Sequence, residues 1–416
     1  KSVFNAPLII TGWNNDITIS DIAVQNSVIA VPNSFQVTTT GNITVNRVSV
    51  KNNPQGGAFF ANSGASAPKK VTVTDSDFSN NGTSGTIGLQ ILSVGVVTLK
   101  NIVADSNGAG SFGDGIQINN SFATTAQAVT LTNVSANNNR GGGVLVISNG
   151  VISITDMTAI NNGVGGVVGN GAELKNDFGG FSSGITLTGV NVFSSNLLSG
   201  LIAMSNGAIK ASNLHAVDNG LFGALLDNNS AATPQPVTLT GTSEFKFNFL
   251  SGLQIVSDGQ VSLNNITANF NNGNGVSVDN SGGPATSGVT FTGTNQFNTN
   301  NGHGLGIYSS GAITLNAITA VNNSINGVDI NNTAVIGLKG VTISGVNVFS
   351  ENTGYGIRII SSGAIKLSNL TASLNQGAHG VYLDNILSGT STPKTVTLDG
   401  TNVISDNNDQ GLQIIT

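Results

Sequence analysis

The stretch from Ser361 to Gly377 reads SSGAIKLSNLTASLNQG and contains the pattern that decides the fold. Its apolar residues Ile365, Leu367 and Leu370 are separated by small or polar residues, and the stretch carries almost no charge. The short alternation predicts a strand, and the Asn-Gln-Gly end predicts a turn. Close variants of this stretch recur along the whole chain, so the sequence predicts a repeat architecture.

A Ser/Asn-x-Gly triplet marks the start of each repeat. Its glycine recurs every 52 to 57 residues, at Gly41, Gly95, Gly150, Gly207, Gly259, Gly311 and Gly363. Such a period is typical of solenoids and propellers. Each period divides into two similar halves, which we name coil A and coil B. We therefore predict one continuous domain over residues 1–416, a segment of a longer array, with two-coil repeats starting near residues 41, 95, 150, 207, 259, 311 and 363.

The composition favours strands and turns and excludes several classes of protein. The chain has 55 glycines, and 8% of its residues are charged, against about 25% in a typical globular domain. It has no cysteine, so we predict no disulfide framework. The net charge of −6 is spread without a basic run, and no apolar run approaches the roughly 18 residues of a membrane span. We predict no nucleic-acid partner, no transmembrane segment and no cofactor.

Asparagine recurs at one position in every coil. In coil A it stands twelve residues after the repeat glycine, at Asn53, Asn107, Asn162, Asn219, Asn271, Asn323 and Asn375. Coil B has a matching series at Asn26, Asn80, Asn138, Asn196, Asn248, Asn300, Asn352 and Asn407. Because stacked amides at equal height can hydrogen-bond to one another, we predict structural asparagine ladders.

The inward positions are equally regular. Val or Ile opens each coil B from Val71 to Val396, and phenylalanine follows eight residues later in Phe193, Phe245, Phe297 and Phe349. The chain has one Trp, and its period consists of two similar halves, which disfavours a propeller. The pattern Gly-h-x-h-x-Asn-h-x-h-x-x-Asn, followed by Gly-h-x-h (h, apolar), resembles right-handed parallel β-helix repeats of the pectin-lyase-like superfamily. We predict an all-β, right-handed parallel β-helix solenoid with repeats of about 52 residues of two coils each.

Residues suited to catalysis or metal binding are few and dispersed along the sequence. The three histidines are His215, His303 and His379, and we interpret them as surface residues. Asp227, Asp279 and Asp384 occupy equivalent positions at the end of coil A. They repeat every second coil, about 9.6 Å apart, which favours turn capping, with calcium binding as the weaker alternative. We predict no catalytic residue and no other metal site.

The third strand of coil B ends in an apolar residue that alternation directs outward. These residues are Leu92, Ile147, Met204, Val256, Tyr308, Ile360 and Ile415, and together with nearby Arg358 and Tyr382 they define a predicted contact stripe. The alternative is that the chain bends there and turns these side chains inward. Outward Thr-x-Thr pairs also resemble ice-binding arrays, although Lys210 and Lys366 interrupt them.

The resemblance to the superfamily leaves function open, since it includes polysaccharide lyases and hydrolases as well as bacterial surface adhesins and phage tailspikes. Because we see no Asp beside Arg or Lys on adjacent coils, we predict a non-enzymatic extracellular protein that forms a rigid rod or fibre on a bacterial cell surface or matrix. Its partners would be further copies, end to end or lateral, other matrix components, or glycans. The alternatives are a carbohydrate-binding or polysaccharide-degrading β-helix and, more weakly, an ice-binding surface. A signal sequence is not visible in this chain.

Overall fold

The computed structural model describes residues 1–27, 32–82, 87–108, 113–165, 168–333, 339–385 and 394–416. These residues form strands, turns and bends, without a helix. In this part of the chain, therefore, no helix has the length and hydropathy of a membrane span. The chain divides into two compact units, Lys1–Gly207 and Ala208–Thr416, which we call unit 1 and unit 2.

The strands are short, and their bounds repeat from coil to coil. In unit 1 they are β1 Ser2–Phe4, β2 Leu8–Trp13, β3 Ile17–Ser20, β4 Ile22–Gln25, β5 Asn33–Thr39, β6 Ile43–Asn46, β7 Ser49–Lys51, β8 Gly56–Ala61, β9 Val71–Asp77, β10 Leu89–Leu92, β11 Val97–Val103, β12 Ile116–Asn119, β13 Val129–Ser135, β14 Val144–Ile147, β15 Ile152–Thr158, β16 Ala172–Asn176, β17 Ile185–Thr188, β18 Asn191–Val192 and β19 Leu201–Ser205. In unit 2 they are β20 Ile209–Ser212, β21 Leu214–Val217, β22 Ala224–Asp227, β23 Val237–Thr240, β24 Ser243–Lys246, β25 Leu253–Val256, β26 Val261–Asn264, β27 Ile266–Thr267, β28 Val276–Asn280, β29 Val289–Thr292, β30 Asn295–Gln296, β31 Leu305–Ser309, β32 Ile313–Asn316, β33 Ile318–Thr319, β34 Val328–Asn332, β35 Val341–Ser344, β36 Asn347–Val348, β37 Ile357–Ser361, β38 Ile365–Ser368, β39 Leu370–Ser373, β40 Val381–Asp384, β41 Val396–Asp399, β42 Val403–Ser405 and β43 Leu412–Ile415.

Within each unit, every coil contributes strands to two parallel sheets. The first part of a coil joins sheet A, which includes pairs such as β29 with β32 and β32 with β35. The last strand of a coil joins sheet B, in which β31, β34, β37, β40 and β43 follow one another in register. All of these pairs are parallel, as stacked coils require, so the predicted all-β parallel β-helix is confirmed. The prediction that residues 1–416 form one continuous helix stays a prediction.

The core is a set of files of apolar side chains that point inward from the strands. In unit 1, Phe35, Phe60 and Phe78 are fully buried and meet edge to face, with ring centroids 5.2 and 6.2 Å apart. In unit 2, Phe291 and Phe297 make the same kind of contact at 5.8 Å. Since equivalent residues of successive parallel coils lie about 4.8 Å apart, a β-branched or aromatic residue at one coil position continues the core of the next coil.

Buried asparagines connect neighbouring coils in each unit. In unit 2 the amide of Asn300 accepts hydrogen bonds from Asn271 and donates to Asn323, each at 3.0 Å. The side-chain ladder runs through Asn53, Asn81, Asn107, Asn139, Asn162 and Asn196 in unit 1, and through Asn219, Asn248, Asn271, Asn300, Asn323, Asn352, Asn375 and Asn407 in unit 2. These amides satisfy backbone groups that the turn leaves without strand partners.

In unit 1, the first three members of the coil B series, Asn26, Asn80 and Asn138, are wrong by one residue, whereas Asn196 is a ladder residue as predicted. The ladder there uses Asn81 and Asn139, whereas Asn80 and Asn138 precede them in left-handed backbone conformation, both at φ 57°. At the first coil the ladder position holds Ser27 instead of Asn26, and its backbone N–H donates to Asn53. Asparagine suits both the left-handed position and the ladder position, so two adjacent asparagines cannot be told apart from sequence alone.

Most coils have a glycine just before their sheet B strand. The backbone of neighbouring coils and a ladder asparagine lie so close to this position that only glycine fits. At Gly304, a Cβ atom would lie 2.6 Å from the carbonyl oxygen of Gly327, 2.7 Å from that of Phe297 and 2.8 Å from the ladder amide of Asn323. No side chain fits in that space, which explains why Gly-h-x-h recurs in the sequence. The residues that follow such a glycine are thereby held at a fixed height on sheet B.

Candidate functional site

The outer face of sheet B in unit 2 brings polar and aromatic side chains together on consecutive coils. The second residue after each coil glycine points outward, and register pairs Gly306 with Asp329, Asp329 with Arg358, Arg358 with Tyr382, and Tyr382 with Gln413. Neighbouring strands are about 4.8 Å apart, so each side chain in this row reaches the next. A carboxylate, a guanidinium and a phenol therefore occupy three successive coils.

Asp329 and Arg358 form an ion pair across two coils. The distance from Arg358 Nη1 to Asp329 Oδ1 is 3.0 Å, and Asn326 Nδ2 donates to the same oxygen at 3.3 Å. The side chain of Asp329 is 9% exposed and that of Arg358 is 32% exposed. The carboxylate is therefore shielded while the guanidinium faces the surface. Because a guanidinium has five N–H donors, Arg358 can hold Asp329 and still bind an anionic ligand group.

His303 lies beside this pair, just before Gly304. Its Nδ1 accepts a hydrogen bond from the backbone N–H of Asn326 at 3.3 Å. Burial lowers the pKa of His303 below its ordinary value, the positive charge of Arg358 lowers it further, and the negative charge of Asp329 opposes both. A neutral imidazole with an accepting Nδ1 carries its proton on Nε2. His303 is thus built to donate a hydrogen bond and not to remove a proton.

Three rings pack together at the other side of Arg358. Tyr355 lies 5.6 Å from His379 and 5.4 Å from Tyr382, and the His379 and Tyr382 rings are stacked at 5.9 Å. Burial raises the pKa of Tyr382, with further increases from Asp384 and Tyr355, so the phenol stays protonated at neutral pH. We name the set Asp329, Tyr355, Arg358, His379 and Tyr382 the coil cluster.

His379 is 9% exposed, which corrects its interpretation as a surface residue. Its Nδ1 lies 3.3 Å from Asp409 Oδ2 on the next coil, within ion-pair distance but without hydrogen-bond geometry. The Asp409 carboxylate thus faces the Nδ1 edge of the imidazole, and Nε2 lies at the other edge of the ring. His215 lies elsewhere, on sheet A, with Nδ1 3.7 Å from Glu244. His303 and His379 are three coils apart, about 14 Å, so they do not act on one atom.

The apolar members of the predicted contact stripe occupy the second outward row of sheet B, whereas Arg358 and Tyr382 lie in the first row with Asp329. Its members are half-buried or, for Tyr308, 50% exposed. Register interleaves them with polar residues: Tyr308 pairs with Asn331, and Ile360 pairs with Asn331 and Asp384. The same alternation holds for Ile147, Met204, Val256 and Ile415, whose partners are Asn119, Lys175, Asp227, Asp279 and Asp384. Leu92 pairs with Asn119 on one side and with Ala61 on the other. The side chains face outward, but they do not form a continuous apolar surface.

The weak calcium candidates lie at or next to the last residue of strands β22, β28 and β40. Asp227 accepts a hydrogen bond from the backbone N–H of Asn229 at 3.1 Å, and Asp279 accepts one from that of Ser281 at 3.1 Å. Asp384 lies beside Tyr382, whose pKa it helps to raise. In the part of the chain that the structure describes, no group of three or more His, Cys, Asp or Glu residues is arranged to hold a metal ion.

Unit 1 has a cavity on its sheet B that contains acidic side chains. This cavity of about 240 Å³ is lined by residues that include Asp114, Leu145, Asn170 and Glu173. Burial raises the pKa of Asp114, as does the charge of Glu173, while hydrogen bonds from Gln117 and Gly142 oppose the increase. Glu173 is in turn ion-paired with Lys175. The residues that line this cavity do not include a guanidinium, a phenol or an imidazole, which the coil cluster combines.

One sequence signal indicates that the cluster residues share a face. Asp329, Arg358 and Tyr382 are each the second residue after a coil glycine, which puts them in one row. We expected no Asp beside Arg on adjacent coils, and the structure contradicts this at Asp329 and Arg358. His379 was missed because its neighbours Tyr355 and Asp409 come from other coils.

Comparison with known proteins finds no matching family model and no matching curated protein. Among solved structures, it finds two A-modules of mannuronan C-5 epimerases from Azotobacter vinelandii. The AlgE4 A-module is 15% identical, covers 92% of this chain and 91% of its own, and superposes with a TM-score of 0.42. The AlgE6 A-module is 15% identical over 94% of this chain and 91% of its own, with a TM-score of 0.40. The likeness concerns the parallel β-helix fold alone.

The prediction of a non-enzymatic structural or adhesive fibre is wrong. The solved structures found are A-modules of enzymes by name, mannuronan C-5 epimerases. The ion pair of Asp329 with Arg358 also removes the observation on which that prediction depended. A likeness at this identity assigns no activity to the present chain, so the argument for a specific chemistry has to come from the coil cluster itself.

Proposed function

We propose that the protein is a carbohydrate-modifying enzyme that binds a uronic-acid polysaccharide along sheet B of unit 2 and moves a proton at the coil cluster. The single observation that carries the proposal is the row Asp329, Arg358 and Tyr382 on three consecutive coils, with His379 packed against Tyr382. An open sheet face suits a polymer better than a small molecule, because a chain of sugars can lie along it.

Carboxylate spacing disfavours simple glycoside hydrolysis at this site. That reaction uses two carboxyl groups about 5 to 9.5 Å apart. Asp279 and Asp384 each lie two coils from Asp329 along the stack. They also stand in the second outward row of sheet B, whereas Asp329 stands in the first, so the separations are roughly 12 Å. Asp329 is also held by Arg358 and Asn326, so its role is to fix the guanidinium. A reaction centred on Arg358, Tyr382 and His379 fits the geometry better.

Arg358 supplies the charge that such a reaction needs. A proton on the carbon next to a carboxylate is hard to remove, because negative charge builds on a group that is already anionic. A guanidinium that holds the carboxylate stabilises this charge in a site where water is partly excluded. Asp329 keeps Arg358 in place, and its low exposure means that the ligand carboxylate meets the guanidinium and not the aspartate.

His379 and Tyr382 provide the base and the acid. The Nε2 atom of His379 accepts the proton as the C–H bond breaks, and the electron pair moves into the carboxylate held by Arg358. The protonated phenol of Tyr382 then donates its proton to the glycosidic oxygen as that oxygen leaves the sugar. The chain breaks and a double bond remains, an elimination that suits a base and an acid whose rings stack side by side.

The experiment is to incubate the protein with polymannuronate and with polygalacturonate in D₂O and to follow each polymer by proton NMR. We expect deuterium to enter at the carbon next to the carboxylate, or an unsaturated chain end to form. Arg358→Ala should lower the rate by about 10²-fold or more. Arg47→Ala is the matched control, since Arg47 also pairs with an aspartate of the neighbouring coil, Asp21, but on sheet A of unit 1. Equal rates for the two variants would refute the proposal.

The predicted extracellular, cell-surface location remains part of the proposal, because an enzyme outside the cell can reach a polysaccharide there. Glycans are the proposed partners. End-to-end or lateral self-association is a separate proposal, and it does not depend on the coil cluster.

A further inference from the structure

A pair of exposed phenylalanines lies on adjacent coils of unit 2. Phe247 and Phe270 each directly precede a ladder asparagine, Asn248 and Asn271. Their ring centroids are 5.0 Å apart and the planes differ by 7°, which is an offset stack. Phe247 is 52% exposed, Phe270 is 47% exposed, and nearby Phe249 is 60% exposed. The stack therefore presents a flat apolar area to solvent.

The backbone at these two positions does not favour phenylalanine. Phe247 has φ 57° and Phe270 has φ 60°, in the left-handed region where bulky residues are rare and asparagine is well accommodated. Other coils of unit 2 carry mostly polar residues at this turn position: Asp218, Thr299, Asn322, Glu351, Leu374 and Asp406. Exposed rings at an unfavourable φ add little to folding, so their presence points to a contact with another molecule.

The surroundings of the stack suit a sugar. Asn301 donates to Asn272 at 2.5 Å beside it, and the turn positions that follow on the next two coils are the uncharged residues Thr299 and Asn322. Amides next to an apolar ring face match the hydroxyl groups and the C–H face of a sugar ring. The coil of Phe270 also continues into β28 of sheet B, whose strand pairs with β31 of the next coil, where His303 lies.

We propose that Phe247 and Phe270 form a stacking platform that binds a second segment of the polysaccharide modified at the coil cluster. The coil of Phe270 lies three coils from that of Arg358, at least about 14 Å along the stack. A polymer can contact both places, whereas one sugar unit cannot. The platform holds the chain while the cluster acts on it. This inference rests on the proposed function and names a substrate contact that the cluster does not contain.

The test replaces both rings by a residue that the backbone prefers. Phe247→Asn with Phe270→Asn removes the stack while Asn suits the left-handed conformation, so we expect a thermal midpoint within about 3 °C of the wild type. The control is Leu374→Asn, which makes the same kind of change at φ 59° on a coil without a ring stack. The probes are polymannuronate and polygalacturonate, each as polymer in an affinity gel and as a trisaccharide substrate.

The expected result is retention by the polymer gel about fivefold weaker in the double variant than in the control, with unchanged turnover of the trisaccharide. If the gel retains the double variant as strongly as the wild type, the platform proposal is wrong. It is also wrong if neither gel retains the wild-type protein. Loss of turnover in Arg358→Ala with intact retention separates the two sites. If the double variant loses retention while no trisaccharide or polymer is turned over, the platform stands and the proposed enzymatic function fails.

Discussion

Replacement of Asn300 by alanine is the sharpest test of how the coils of unit 2 are joined. The Asn300 side chain is 1% exposed and makes four hydrogen bonds of 3.0 Å. Its oxygen accepts from the backbone N–H and the side-chain amide of Asn271. Its amide nitrogen donates to the Ala268 carbonyl oxygen and to Asn323 Oδ1. Alanine removes all four hydrogen bonds. The backbone N–H and the side-chain amide of Asn271 then lose Asn300 Oδ1 as their acceptor.

The expected cost follows from those orphaned groups. A buried donor without a partner costs about 1 to 3 kcal/mol. Asn271 Nδ2 still donates to the Phe245 carbonyl oxygen, and Asn323 Oδ1 still accepts from the backbone of Asn300. These remaining bonds reduce the cost, so we expect Asn300→Ala to lower the free energy of unfolding by about 3 to 5 kcal/mol.

The matched control is Asn301→Ala. Asn301 is the next residue and is exposed, and its side chain bonds to Asn272 at the surface. We expect this change to cost less than about 1 kcal/mol. Urea unfolding followed by circular dichroism gives both values, and hydrogen exchange of the Asn271 amide reports the local effect, because repeat proteins can open locally. Equal costs for the two variants, or unchanged protection of Asn271, would refute the ladder argument.

Two further predictions concern the site. Burial holds the folded-state pKa of His303 below the ordinary 6.5, so as pH falls the unfolded chain takes up this proton first. The wild type should therefore lose stability on acidification below about pH 6.5 more steeply than His303→Gln, as measured by thermal midpoint against pH, and parallel curves would contradict the pKa shift. Tyr382→Phe keeps the ring and removes the phenol, so we expect turnover of the polyuronate to fall by about 10²-fold or more at an unchanged thermal midpoint, whereas full activity would exclude Tyr382 as the acid.

The repeat period and the fold class are local properties of the sequence. Alternating Val and Ile predict strands, and a recurring Gly-h-x-h marks a backbone position where the next coil leaves no room for Cβ, as at Gly304. Because every coil repeats the same local geometry, one stretch such as Ser361–Gly377 contains enough information to predict the stack.

The ladder shows where this local information becomes ambiguous. Asn80 and Asn81 are equally acceptable to local rules, since asparagine favours both a left-handed turn and a buried amide contact. Register selects Asn81, because its Oδ1 lies 2.9 Å from the amide nitrogen of Asn53 on the preceding coil. The neighbouring coil decides which of the two amides is buried.

The sequence by itself determined that this chain forms coils, how long the coils are and which residues fill the core. Only the tertiary structure decided which side chains meet on sheet B. Asp329, Arg358 and Tyr382 are separated by more than twenty residues each, and register brings them into one row of sheet B. The packing of His379 against Tyr355, and its approach to Asp409, depend on three successive coils. The residues of such a row come from different coils, so their shared position after the coil glycine indicates the row, whereas their contacts depend on register and packing.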